Sequence, residues 1–203
     1  MLRMEQIEIA YGDKIVIHDF NLELKKGEKV VLVGPSGCGK SSLLRVAAAL
    51  QIPSAGRVYL AGELLTPKLS RKLRCEISYL PQQLTMNSVV LDFIKIPFQF
   101  AINSKESDLN GKIEELLFKL GLDRNILTQN FQDISGGQKQ RVLLLITMLL
   151  NRPIMALDEV ISALDGESKS QVLELIFNKK QLTLVSSSHD PAWIERCDRI
   201  INV

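Results

Sequence analysis

The chain has few cysteines, little excess charge of either sign and no long apolar run. Its 203 residues include three cysteines, Cys38, Cys75 and Cys197. An odd count with no paired spacing argues against a disulfide framework or a zinc site, and a reducing cytosol is the simplest setting. Basic residues number 25 and acidic residues 23, for a net charge of +2. That balance leaves room for a local basic patch around Arg71, Lys72 and Arg74, but it creates no broad field for nucleic acid, and no nucleic acid is expected as a partner. The longest apolar run covers 142–150, short of the ~20 residues a membrane-crossing helix needs. The amino terminus, Met-Leu-Arg-Met-Glu, has no basic-then-apolar leader. The expectation is a soluble, cytoplasmic protein that reaches a membrane only by docking on its inner face. Repeats, low-complexity tracts and flexible linkers are also missing.

What is present is an ordinary folded domain, 46% hydrophobic and 24% charged, long enough to bury a core without disulfides. Period-two alternation of Ile7 and Ile9, then of Phe20, Leu22 and Leu24, predicts half-buried strands within 3–24, with a turn at Tyr11-Gly12-Asp13-Lys14. Residues 29–33 form a short apolar strand running into Gly34. The Leu- and Ala-rich stretch 41–50 predicts a helix. Further strands are expected at 57–60, 77–80, 154–157, 182–186 and 199–203. Residues 84–103 show no clear period. A helix is expected from Asp108, with Ile113, Leu116, Leu117 and Leu120 on one face and Gly121 as its C-terminal cap. Another should run from Ser135 to Leu150, stopped by Pro153, and a third over 169–177. Strands alternating with helices predict an α/β fold with a mainly parallel sheet.

Two glycine motifs carry the chemistry. Gly34-Pro35-Ser36-Gly37-Cys38-Gly39-Lys40-Ser41 fits the G-x-x-x-x-G-K-[ST] phosphate loop, and it follows an apolar strand and opens a helix, as that mechanism requires. Backbone N–H groups of such a loop and of a helix N-terminus hold a triphosphate tail. Lys40 would bridge the outer phosphates, and Ser41 would place its hydroxyl on Mg²⁺, with Ser42 next to it in the binding segment. The glycines are not spaced G-x-G-x-x-G, so a dinucleotide fold does not fit. The apolar strand 154–157 ends in Asp158-Glu159. Asp158 is the candidate holder of Mg²⁺, and Glu159 is the candidate general base for an attacking water.

The second glycine motif is Ile134-Ser135-Gly136-Gly137-Gln138. With it, the chain resembles the ATP-binding cassette (ABC) family over nearly its whole length. Ser135, Gly136, Gly137 and Gln138 look like the family signature, and Gln82 resembles its Q-loop glutamine. Ser162-Ala163-Leu164-Asp165 is similar to the D-loop, and His189 to the switch histidine. Tyr11 lies where the family keeps an aromatic against adenine. All occur in the family's order. Val160-Ile161 departs from the usual Pro-Thr after the base, and Ile134 replaces the commoner Leu.

The resemblance implies a P-loop NTPase core with an N-terminal antiparallel β subdomain and an inserted helical subdomain. Residues 1–203 would form one nucleotide-binding domain, with 1–82 and 151–203 as the core and ~83–150 as the helical part. It implies an ATPase with ATP and Mg²⁺ as ligands, in which Lys40, Gln82, Glu159 and His189 serve catalysis and Ser41, Gln82 and Asp158 serve the metal. It also implies a head-to-tail homodimer, in which Ser135–Gln138 and Asp165 of one copy meet the nucleotide of the other, and a separate transmembrane permease as partner. Around Leu91–Phe100 and Asp158–Asp165 the chain is similar to small cassettes paired with permeases proposed to export metal ions. The alternative function is a soluble, non-transport cassette ATPase, for example of the iron–sulfur assembly type. A nucleotide-binding module without turnover fits poorly with Glu159 and His189 in place.

Overall fold

The structure, a computed structural model, describes residues 2–103 and 108–203. In chain order the elements are β1 (Leu2–Tyr11), β2 (Lys14–Leu24), β3 (Lys29–Val33), α1 (Lys40–Ala47), β4 (Ala55–Leu60), β5 (Glu63–Leu64), α2 (Ser70–Leu73), β6 (Ile77–Leu80), α3 (Val90–Lys95), α4 (Leu109–Lys119), α5 (Gly136–Leu149), β7 (Ile154–Asp158), α6 (Gly166–Phe177), β8 (Thr183–Ser187), α7 (Pro191–Ile194) and β9 (Arg199–Asn202). They fall into two compact units. The first comprises Met1–Pro81, Arg152–Glu159 and Lys180–Val203, and the second Gln82–Asn151 and Val160–Lys179.

Among the described residues of the first unit, the strands form two sheets. One is antiparallel, in the order β2-β1-β4-β5, and the other runs β6-β7-β8-β3-β9 with every pairing parallel. β7 and β8 are buried along their full length, as expected for inner strands of a parallel sheet covered on both faces. Edge strand β9 is largely exposed. Helix α1 touches both sheets, meeting β7 and β8 on one side and β1 and β4 on another. Its Leu43, Leu44 and Val46 therefore share one core with Ile7, Ile9, Val30, Leu32, Ala156 and Val185. The α/β fold with an N-terminal antiparallel sheet matches the expectation. The helix expected at 41–50 ends earlier, at Ala47, and β5, α2 and α7 are short elements with no hydrophobic period of their own.

The second unit contains α3 to α6. The apolar run at 142–150 lies within α5 and its C-cap Leu150, where Val142, Leu144 and Leu145 are fully buried. A helix apolar on nearly every face belongs in a core. Among the described residues, no helix is long and apolar enough to cross a membrane. Helix α4 starts at Asp108, whose side chain accepts from the Gly111 N–H at 3.1 Å. It ends in a Schellman turn, with Gly121 at φ +59°. The Gly121 N–H bonds the Phe118 carbonyl at 3.1 Å and the Leu122 N–H bonds the Leu117 carbonyl at 2.9 Å. The stretch without a visible period contains α3 and a 3-10 turn over Ile96–Gln99. Two short helical pieces interrupted by Pro97 leave no run long enough to show a repeat. Phe93 of α3 packs edge-on against fully buried Phe131, with ring centroids 4.9 Å apart. The sequence division at 151 puts 160–179 with the core, whereas these residues, including α6, group with the second unit. The helical period of α6 reveals that Val172 and Ile176 face inward, but it does not reveal which layer they meet.

Candidate functional site

In the first unit, the phosphate loop springs from β3. Gly34 sits close to the chain's last strand, and a Cβ there would lie 2.5 Å from the Val203 carbonyl oxygen. Gly39, at φ +108°, holds the turn into α1 where a Cβ would meet Ile17 at 2.6 Å. Pro35, Ser36 and Gly37 are exposed, whereas Cys38, Gly39 and Ser41 are half-buried. Lys40 is 7% exposed. Its Nζ donates to the carbonyls of Gly34, at 2.7 Å, and Pro35, at 3.0 Å, and lies 3.9 Å from Cys38 Sγ. The ammonium thus rests on the loop it closes, with its charge compensated by carbonyl dipoles. Buried Ser42 shares a 3.0 Å hydrogen bond with the hydroxyl of Tyr11, which also donates to Gln51 at 3.1 Å. The Ser42 contact, foremost, pulls the Tyr11 phenol below its ordinary pKa. Tyr11 is 49% exposed beside the first turn of α1.

The parallel register brings the other groups to the same edge. Leu32 of β3 pairs with Ser187 of β8, and Ser187 pairs with Asp158 of β7. Gly34, Glu159 and His189 lie one or two residues beyond these positions, at the carboxyl ends of adjacent strands, where α/β sheets hold their ligands. Asp158 is 3% exposed and its Oδ1 accepts from the Ser187 hydroxyl at 2.6 Å. Glu159 has a left-handed backbone, φ +52°, a conformation costing a non-glycine residue about 1 to 3 kcal/mol that persists only where neighbours enforce it. Here the Glu159 N–H bonds both the carbonyl and the hydroxyl of Ser187, each at 3.2 Å. Its carboxylate lies 3.5 Å from His189 Nε2. Asp190 follows His189 and caps α7 through the N–H groups of Ala192 and Trp193. Trp193 is fully buried, and its Nε1 donates to Ser186 at 2.9 Å. The histidine thus stands between two anchored elements.

The second unit holds the other motif. Ser135 N-caps α5 in a full capping box. Its hydroxyl accepts from the Gln138 N–H at 3.2 Å, and its own N–H donates to the Gln138 side chain at 2.9 Å. Ser135 and Gly136 are exposed. A Cβ on Gly137 would lie 3.0 Å from the Ala163 carbonyl oxygen, so the segment before Asp165 runs against this helix start. Asp165 N-caps α6, accepting from the Ser168 N–H and hydroxyl, each at 2.9 Å. The Ser168 backbone bond is the main reason its carboxyl is held below the usual range. Gln82, the first residue of this unit, is exposed.

A family model described as ABC transporter matches residues 17–162. The chain belongs to the ABC transporter family. Among its relatives is the probable iron export ATP-binding protein FetA of Escherichia coli K12, 30% identical over 100% of this chain and 91% of that protein. The probable siderophore transport system ATP-binding protein YusV of Bacillus subtilis 168 is 31% identical over 92% of this chain and 70% of that protein. Among solved structures, a dimeric bacterial ABC transporter cassette superposes with a TM-score of 0.90 at 25% identity, covering 100% of this chain and 94% of the other. A cassette dimer in a post-hydrolysis state with ADP and Pi shares the fold, with a TM-score of 0.89 at 24% identity over 100% and 94% of the two chains.

In this ABC cassette, the donor set fits magnesium. Within the first unit, Ser41 offers a hydroxyl and Asp158 a buried carboxylate, both hard oxygen donors. Mg²⁺ at phosphate sites typically takes one or two carboxylates and completes its shell with phosphates and water. Among the described residues, no group of three or more His, Cys, Asp or Glu forms an all-protein metal cage. Sequence reasoning missed two residues of the cassette's framework. Ser187 reads as one of three serines ending a strand, and only its register with Asp158 reveals its contact. Arg141 reads as a surface cation behind the glycine motif. It bonds the Leu120 and Gly121 carbonyls at 2.9 and 3.0 Å, tying α5 to the end of α4.

Proposed function

We propose that this ABC cassette is the ATP-binding subunit of a transporter, one nucleotide-binding domain over 1–203, which hydrolyses MgATP at a head-to-tail dimer interface and drives a separate membrane permease. The observation that carries this reading is the common level of Leu32, Asp158 and Ser187, which gathers the phosphate loop, the paired carboxylates and His189 at one edge of the parallel sheet. Lys40 exchanges the Gly34 and Pro35 carbonyls for the outer phosphates of ATP, and the loop N–H groups at Gly34, Gly37 and Gly39 cradle the rest. Tyr11 receives the adenine face. The start of α5 in a second copy closes over the γ-phosphate with the Ser135 hydroxyl, the Gly136 and Gly137 N–H groups and the helix dipole, and Asp165 of that copy borders the same interface.

Glu159 takes the proton of the attacking water, and His189, next to it, steadies the transferring phosphoryl group. Ser41 and Asp158 would hold Mg²⁺, which would supply neutralisation of the charge developing on the phosphates. Loss of the γ-phosphate removes the link between copies, and the difference in affinity between open and closed dimers is the free energy delivered to the permease. Its place is therefore the cytoplasmic face of the membrane, held there by that partner. Relatives named for iron export and siderophore transport share the cassette. The site residues of this reading all serve the nucleotide, which leaves cargo choice to the permease. The test is affinity isolation of the chain from detergent-solubilised membranes, together with ATP turnover of the isolate. A co-purifying multi-span protein supports the transporter reading, and co-purification with soluble scaffold proteins alone supports the assembly-type alternative.

A further inference from the structure

Ser187 makes contacts that the nucleotide motifs do not explain. Its side chain is fully buried, and its one hydroxyl meets both acidic residues. The hydroxyl proton goes to Asp158 Oδ1, at 2.6 Å. The oxygen then accepts from the Glu159 N–H, at 3.2 Å, while the Ser187 carbonyl takes the same N–H at 3.2 Å. A hydroxyl can donate once and accept twice, so both contacts form together. The first pins one oxygen of the Asp158 carboxylate and leaves the other available. The second helps secure the left-handed backbone of Glu159, φ +52°, and with it the direction in which that carboxylate leaves the strand. The neighbouring serine has a different environment. Ser186 bonds the Val30 carbonyl at 3.3 Å and receives the Trp193 N–H, and it touches neither acid among the contacts described.

We infer that Ser187 is a positioning residue for hydrolysis, whose single hydroxyl sets the metal-side carboxylate of Asp158 and the base Glu159 in register with each other. This rests on the ATPase reading above. The role differs from strand packing in what it affects. Removal of an outer-sphere partner of this kind costs on the order of 10- to 100-fold in metal affinity or activity, whereas a packing defect lowers stability without separating binding from turnover.

The experiment compares wild type, Ser187→Ala, Ser187→Thr and Ser186→Ala in the full chain. It measures ATP turnover at saturating nucleotide, KM, and the ATP dissociation constant with Mg²⁺ and with EDTA. Ser187→Ala is expected to lower kcat by about 10- to 100-fold with KM nearly unchanged, and to shrink the gain in ATP affinity that Mg²⁺ gives, while binding in EDTA stays at the wild-type value. Ser187→Thr, which keeps the hydroxyl, should recover most of the turnover. Ser186→Ala should lose thermal stability but keep the Mg²⁺ gain. If Ser187→Ala gives no folded protein, Ser187→Cys, a near-isostere with a weaker donor, is measured in the same way and should show the same separation of kcat from EDTA binding. Wild-type kcat and Mg²⁺ gain in the Ala or Cys variant, or identical losses in Ser186→Ala and Ser187→Ala, overturn the inference alone. A wild-type chain that binds no ATP or shows no Mg²⁺-dependent turnover overturns the ATPase reading and this inference with it.

Discussion

The two compact units hold their functional groups by different physics. In the first, Lys40 and Asp158 are buried, the one compensated by carbonyls of its own loop and the other by a serine that strand pairing brings near. In the second, Ser135, Gly136 and Asp165 sit at helix starts, and their hydrogen bonds close within three residues. Buried charge must be matched by tertiary contacts or it costs several kcal/mol. An exposed helix start keeps its donors available to a partner at little cost, because water serves them meanwhile. On the proposed reading, the first unit supplies the chemistry and the second presents a surface that a second molecule completes.

The strongest way to break this contrast is Glu159→Gln. Its expected outcome is a fall in turnover of about 10²- to 10⁴-fold with ATP binding intact and an ATP-dependent dimer accumulating on size exclusion. Wild-type turnover would remove Glu159 from the role of base. Next comes Lys40→Ala, which deletes a buried ammonium and its two carbonyl contacts. ATP affinity measured by calorimetry should fall by about 10- to 100-fold, since hydrogen bonds to charged groups contribute about 1.5–3 kcal/mol each.

A smaller effect, and one confined to assembly, is expected from Ser135→Ala. Loss of the cap costs about 0.5–2 kcal/mol in the second unit, and the ATP-bound dimer of the Glu159→Gln background should loosen while ATP binding by the single chain is unchanged. Equal loss of single-chain binding would show that the two units do not divide the work as described. The smallest expected effect is that of Asp165→Asn on pH-dependent stability. Because the folded carboxyl is held below its ordinary value, its stabilisation is complete above the usual carboxylate pKa and is lost as pH falls through the lowered folded value. Thermal midpoints of wild type and Asp165→Asn should differ near neutrality and converge in acid. A constant difference at every pH would mean that the Ser168 contact is not what holds the charged form.

Much of the site could be read along the chain because its motifs are local. The phosphate loop, the serine-glycine helix start and the acids ending β7 each need only a few consecutive residues in one backbone shape. The capping box of Ser135 and Gln138 is a case of sequence spacing becoming geometry directly. Residues 84–103 resisted, since α3 and the following 3-10 turn are too short to repeat a pattern, and their fold rests on Phe93 meeting Phe131. Ser187 resisted for another reason, because its importance lies in the strand beside it.

The sequence alone determined the kind of ligand, the strand-then-helix alternation and the starts of α4 and α5, because glycine spacing, caps and apolar period act over one or two turns of chain. Tertiary structure alone decided that Leu32, Asp158 and Ser187 share a level and that α6 belongs with the helical unit. Each of these depends on the register between strands or the choice of packing face, which arise only when residues far apart along the chain exclude water together.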